Sequence, residues 1–222
     1  MKEYTQSIEK AMGARANPER AEGQKSYMKN RFEFFGLAST ERREIQKPFL
    51  QKTALPSKGD AYAYIKELWQ KDQRELQYFA QELAFRYRSQ ISLDDIKLYE
   101  YMITEKSWWD SVDFIASNLV GNYFRKYPDE RERLVQRWLD SGNIWLQRSA
   151  LLFQLKYKSD LDTELLTATI EILLAGNEFF INKAIGWILR EYGKTNPQWV
   201  LDFADKHKLS PLSRREALRI IL

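Results

Sequence analysis

Apolar residues along this chain recur at intervals of three and four, the spacing that puts side chains on one face of a helix, and no segment alternates as a strand would. Leu134, Val135, Trp138 and Leu139 make one such stripe; Leu165, Leu166, Ile170, Leu173 and Leu174 make another. The starts of helices are marked too. Pro128 opens PDERERLVQRWLD, Asn196-Pro197 opens NPQWVLDF, Ser210-Pro211 opens SPLSRREALRIIL, and Ser92-x-x-Asp95 precedes IKLYEYMI. A proline in the first turn has no amide to leave unpaired, and a Ser or Asn just ahead accepts one of the orphan amides there. The longest interruptions, 53–59 and 141–143, read as turns, and no Gly/Ser-rich linker divides the chain. The pattern predicts an all-α protein forming a single domain over residues 1–222.

Helices of similar length at regular spacing suggest an internal repeat. Asp113, Arg148 and Lys183 follow at intervals of 35 residues and open the similar stretches DFIASNL, RSALLFQ and KAIGWIL. Gln77 or Tyr78 holds the comparable place in the preceding unit, and Arg214 in the following one, with a slip in spacing. Equivalent positions of stacked helix pairs face the same surface, so a row of one acid and several bases is expected along one face of a solenoid. Charges at such small, apolar positions are expensive to bury, which places the row in a wet concave groove rather than the core.

Composition then narrows the chemistry. A chain of 222 residues with 44% hydrophobic and 14% aromatic residues can bury a stable core. The first twenty residues lack the apolar run of a signal peptide, and nothing later approaches the roughly 20 uncharged residues that span a bilayer. A cytoplasmic location, nucleoid-associated in a bacterium, is expected, with no membrane partner. The absence of cysteine excludes disulfides, thiolate catalysis and Cys-ligated zinc or iron–sulfur sites. His207 alone cannot build a His-rich metal site and reads as an exposed tail residue, so no metal and no cofactor are expected.

The net charge is +4, unevenly spread: 12 basic against 8 acidic residues over 1–60, 7 against 10 over 61–120, and 16 against 13 over 121–222. Basic flanks around an acidic centre suit a protein that grips a polyanion while the centre does other work, because Lys and Arg neutralising phosphates supply most non-specific DNA affinity. Arg43 and Lys47, four apart near a helix start, are candidate phosphate contacts.

The centre holds the most telling stretch, SWWDSVDFIASN at 107–118. Residues four apart on a helix are neighbours, so Trp109 stands one turn before Asp113, and Trp187 stands one turn after Lys183. An anion beside electron-rich ring faces is a device for holding a cation. Trp108 is expected to face a neighbouring helix and Asp110 to cap or pair locally, while Trp69, Trp138, Trp145 and Trp199 read as packing residues.

The segments SYMKNRFEFFGL, SWWDSVDFIA, IWLQRSALLF and NKAIGWILREYG, in this order and separation, resemble the DNA alkylation repair family, the AlkD-type alkylpurine DNA glycosylases. The most specific parts are WWD-x-x-D, W-L-Q-R-S-A and G-W-x-L-R-E-Y. The resemblance implies a C-shaped solenoid of about six HEAT-like helix pairs whose concave face holds duplex DNA. It implies removal of N7- and N3-alkylated purines, with Asp113 as the catalytic carboxylate, Trp109 and Trp187 flanking the lesion, and Arg148 and Tyr27 touching the DNA. Further DNA contacts are expected from Lys183, Arg190 and Arg214. A monomer is expected.

The residues agree with that chemistry. Alkylation at N7 or N3 makes the purine cationic and a good leaving group, so no histidine is needed to protonate it. The task left is to stabilise an oxocarbenium-like sugar and admit water, which one carboxylate walled by indoles can do. No lysine is indicated as a Schiff-base nucleophile, so a monofunctional glycosylase without lyase activity is expected; the resemblance further implies an enzyme that need not swing the base into a pocket. The competing reading is a non-enzymatic helical-repeat scaffold that binds DNA or protein. A DNA scaffold, however, has no use for an acid at Asp113.

Overall fold

A computed structural model describes residues 2–221. The predicted all-helical character holds: among the described residues there is no β-strand, only an isolated bridge between Glu33 and Gln73. Nor, among them, is any helix long and apolar enough to cross a membrane. Contacts group the chain into two compact units, one ending at Gln90 and the other beginning at Ile91.

The first unit contains α1 (Lys2–Gly13), α2 (Pro18–Tyr27), α3 (Ser39–Gln46), α4 (Lys58–Gln70) and α5 (Arg74–Arg86). Ile8, Met12, Ile65, Leu68, Trp69, Leu76 and Phe79 fill its core. Pro18 sits in the first turn of α2, and the Asn17 side chain accepts from the amide of Arg20. Buried Glu75 accepts from the amides of Phe35, Gly36 and Leu37 at 3.0, 2.9 and 3.1 Å, pinning that loop to α5. Gly36 is required there: its φ is +85°, and a Cβ would lie 2.0 Å from the Asn17 carbonyl oxygen.

One expectation fails in this unit. Gln77 is fully buried, and its amide donates to the Lys71 carbonyl at 2.6 Å, so it ties down the end of α4 instead of joining a wet row. The alternative at that position, Tyr78, is half-buried under the guanidinium groups of Arg42 and Arg74.

The second unit runs through α6 (Asp95–Thr104), α7 (Trp109–Phe114), a π-helical turn (Ile115–Val120), α8 (Gly121–Lys126), α9 (Arg131–Asp140) and α10 (Ile144–Leu152). It continues with α11 (Thr163–Leu173), α12 (Phe179–Gly193), α13 (Pro197–Lys206) and α14 (Pro211–Leu218). The helix starts follow the signals in the sequence. Asn196 and Ser210 accept from amides three residues on, with Pro197 and Pro211 in the first turns. Pro128 opens a short 3-10 turn that feeds α9. Ser92 and Asp95 do pair, but here the Asp95 carboxylate reaches back to the Ser92 amide and hydroxyl, and α6 begins at Asp95.

Packing in this unit is layered. α7 packs on α10, α10 on α12 and α12 on α14, while α9 packs on α11. Asp113, Arg148, Lys183 and Arg214 therefore lie on successive helices of one layer, as the repeat spacing predicts. His207 is not an exposed tail residue. Its ring stacks on Phe203 at 4.0 Å, and its nitrogens lie 3.0 Å from the Phe203 carbonyl and 3.1 Å from Glu171.

Candidate active site

Asp113 closes the first turn of a helix that the sequence builds around it. The apolar neighbours Val112 and Ile115 turn into the core, leaving Asp113 facing α10. Asn143 caps α10 by accepting from the Trp145 and Leu146 amides at 2.9 and 3.3 Å, which fixes where Arg148 emerges. Arg148 then meets Asp113 fork to fork, Nε to Oδ1 at 2.6 Å and Nη2 to Oδ2 at 2.8 Å. Its remaining Nη1 donates to the Phe180 carbonyl at the start of α12.

The pair is largely dry. Arg148 is only 4% exposed. Burial pushes the Asp113 carboxyl above the usual carboxylate range; the Arg148 guanidinium opposes that shift, and the Asp110 charge adds to it. A bidentate guanidinium–carboxylate contact fixes orientation as well as charge, so the carboxylate plane is set by α10 and α12 together.

An aromatic wall stands beside this clamp. The Phe180 ring lies 5.0 Å from both Trp108 and Trp145, and the two indoles lie 5.6 Å apart. Trp108 faces neighbouring helices, as expected. Trp145 packs, also as expected, but it packs against the residue that anchors Arg148. Directly after α7 the backbone widens into the π turn, where the Ser117 hydroxyl donates to the Asp113 carbonyl at 2.7 Å. π turns often accompany functional sites. Trp109, half-buried, opens α7 one turn before Asp113.

The expected DNA-contacting cations of this unit are all engaged. Lys183 donates to Glu216 at 3.0 Å and Arg190 to the other oxygen of Glu216 at 2.5 Å. Arg214 holds Asp205 at 2.8 Å and the Ala204 carbonyl. Arg148 departs from the wet row: expected in a groove as a DNA contact beside Asp113, it is instead buried and bonded to that carboxylate. In the first unit, Tyr27 ends α2 and is 69% exposed, while Arg43 and Lys47 are exposed but lie at the end of α3 rather than near a helix start as expected.

Sequence reasoning missed two members of the site. Phe180 acts through its backbone carbonyl, which no residue type advertises. Glu216 reads as one charge among many in SRREALR and becomes visible only when α14 is laid on α12. Among the described residues, no group of three or more His, Asp and Glu side chains is placed to hold a metal ion.

Fold and site together define a class: an all-helical protein built of layered helices, with a dry, arginine-clamped carboxylate beside an aromatic wall. The description "DNA alkylation repair enzyme" belongs to the family that matches residues 8–221. Among solved structures, one described as a predicted DNA alkylation repair enzyme from Enterococcus faecalis is 35% identical. The similarity covers 92% of this chain and 95% of that one, with a TM-score of 0.85. A search of curated proteins finds no significant match. The chain belongs to the DNA alkylation repair enzyme family.

Proposed function

We propose that this protein is a monofunctional DNA glycosylase that hydrolyses the N-glycosidic bond of cationic N7- and N3-alkylated purines in duplex DNA. The observation that carries the reading is the Asp113–Arg148 pair: a carboxylate kept in a dry place at a cost, oriented by a fork, one turn from an indole. An ordinary structural acid gains nothing from that arrangement that a hydrophobic pair would not supply.

In this reading the alkylated base leaves without protonation, because its own positive charge already weakens the C1′–N bond. Positive charge then moves onto the deoxyribose. Asp113, in its ionised form, stabilises that charge and polarises the attacking water, and low local polarity strengthens both effects. Trp109 and Trp187 supply ring faces toward the same cation, each worth roughly 0.5–2 kcal/mol according to desolvation. Arg148 holds the carboxylate plane and meets the DNA only by exchanging Asp113 for a phosphate. Tyr27, Arg43, Lys47, Lys183, Arg190 and Arg214 contribute contacts to the duplex.

One observation favours a second reading. Asp113 and Arg148 bond each other fork to fork, as a structural tie between two helices of a scaffold would. Base release separates the two. Purified protein is expected to liberate 7-methylguanine or 3-methyladenine from methylated duplex DNA without added metal, and Asp113→Asn to stop release while duplex binding persists. No release by the intact protein would favour the scaffold.

A further inference from the structure

Three cations converge on one carboxylate that the chemistry above does not use. Lys183 reaches Glu216 Oε1 at 3.0 Å, Arg190 reaches Oε2 at 2.5 Å, and Arg219 approaches Oε2 at 3.7 Å. On α12, Lys183, Trp187 and Arg190 are spaced four and then three apart, which makes them one stripe. Glu216, projecting from α14, therefore ties both ends of the stripe that carries Trp187.

The close approach of α14 is built in. At Gly186 a Cβ would lie 2.5 Å from the Glu216 Cβ and 2.9 Å from the Ser213 carbonyl oxygen, so only glycine admits α14 there. The Ser213 hydroxyl donates to the Asn182 carbonyl at 2.8 Å and fixes the register. Glu216 itself is 9% exposed, and its cations, the Lys183 hydrogen bond first, hold its carboxyl below the usual range. It stays charged.

Three cations around one anion leave an excess of positive charge with fixed geometry. Without the carboxylate the three would repel one another and spread into water. With it, they remain gathered, and the Lys183 and Arg219 side chains, 39% and 59% exposed, still present donors to solvent. An incoming anion then meets groups that have already lost their rotamer freedom.

We propose that Glu216 is a positioning residue, which gathers Lys183, Arg190 and Arg219 into a preformed seat for a backbone phosphate of duplex DNA and holds Trp187 between them. The proposal rests on the duplex-binding part of the reading above. Its sign opposes simple charge counting, by which removing an acid from a DNA-binding surface should strengthen binding.

The test is fluorescence anisotropy of a labelled undamaged duplex, titrated with wild-type protein and Glu216→Gln over a range of NaCl concentrations, beside a thermal melt. Glu216→Gln is expected to bind about tenfold more weakly, the scale of one charged contact, with a salt slope shallower by about one. Equal or tighter binding, or a steeper slope, overturns the proposal. Should Glu216→Gln fail to melt cooperatively, Glu216→Asp carries the test. It keeps the charge but draws it back by one methylene, so weaker binding is expected and wild-type affinity overturns the idea. Wild-type protein without salt-dependent duplex binding would remove the seat and the duplex reading together. The base-release assay with Asp113→Asn bears on the glycosidic chemistry alone.

Discussion

Two carboxylates, Glu75 in the first unit and Asp113 in the second, are drawn largely out of water and held in opposite ways. Glu75 accepts from three consecutive backbone amides, those of Phe35, Gly36 and Leu37. Asp113 accepts from a side chain, the fork of Arg148. Backbone donors leave only if the loop unfolds, whereas a guanidinium can exchange one anion for another. Burial of an acid therefore says little about its role; the mobility of its partner says more. Glu75 is architecture, and Asp113 is a charge held by a partner that can let go.

The comparison breaks most sharply on activity. Asp113→Asn is expected to lower base release about 1,000-fold, the scale of losing a principal charge stabiliser. Glu75→Gln should leave release per folded molecule unchanged. If Glu75→Gln lowers the single-turnover rate as far as Asp113→Asn does, the distinction between the two acids is gone. Stability reverses the order. Glu75→Ala strands three backbone amides, two of them buried, and is expected to cost about 3 kcal/mol in urea melts, against a smaller loss for Asp113→Asn, whose amide oxygen still accepts from Arg148.

Arg148→Met sharpens the contrast at the next level. Removing the guanidinium leaves burial unopposed at Asp113, so its carboxyl moves further up and the acid limb of the pH–rate profile shifts to higher pH. A profile unmoved by Arg148→Met would show that the clamp does not tune the acid. In wild-type protein the signs are already fixed. In the proposed mechanism Asp113 acts ionised, and its folded pKa is raised, so release should fail on acidification at a higher pH than an ordinary carboxylate would allow. Stability runs the other way: as pH rises from the ordinary carboxylate value through the raised one, the unfolded chain ionises first, and Asp113 subtracts stability across that window. Asp113→Asn removes both dependences.

The smallest effects belong to the surface. Arg43→Ala and Lys47→Ala should each make the salt slope of duplex binding shallower by about one and leave the single-turnover rate alone. An unchanged slope would remove that residue from the interface.

The helices and their starts were legible because caps and apolar spacing are local signals, as Asn196, Ser210 and the α9 stripe show. The shared register of Asp113, Arg148 and Lys183 was legible because a repeat copies position along with sequence. Their surroundings were not. Gln77 shared that register and turned out to cap a helix from inside, since a side chain's partner is set by the neighbouring turn. The repeat spacing put Arg148 beside Asp113, where it could keep the carboxylate ionised, but nothing in its own helix reveals that it is buried there and that the Phe180 carbonyl takes its remaining donor. Glu216 was invisible until Gly186 allowed two helices to touch.

The most direct measurement is single-turnover release of 7-methylguanine from methylated duplex DNA by wild-type protein and Asp113→Asn, without added metal and with duplex affinity measured in parallel. Release by the wild type and its loss in the variant at matched affinity is the expected result. Release that survives the substitution would contradict the claim that this clamped carboxylate performs the chemistry.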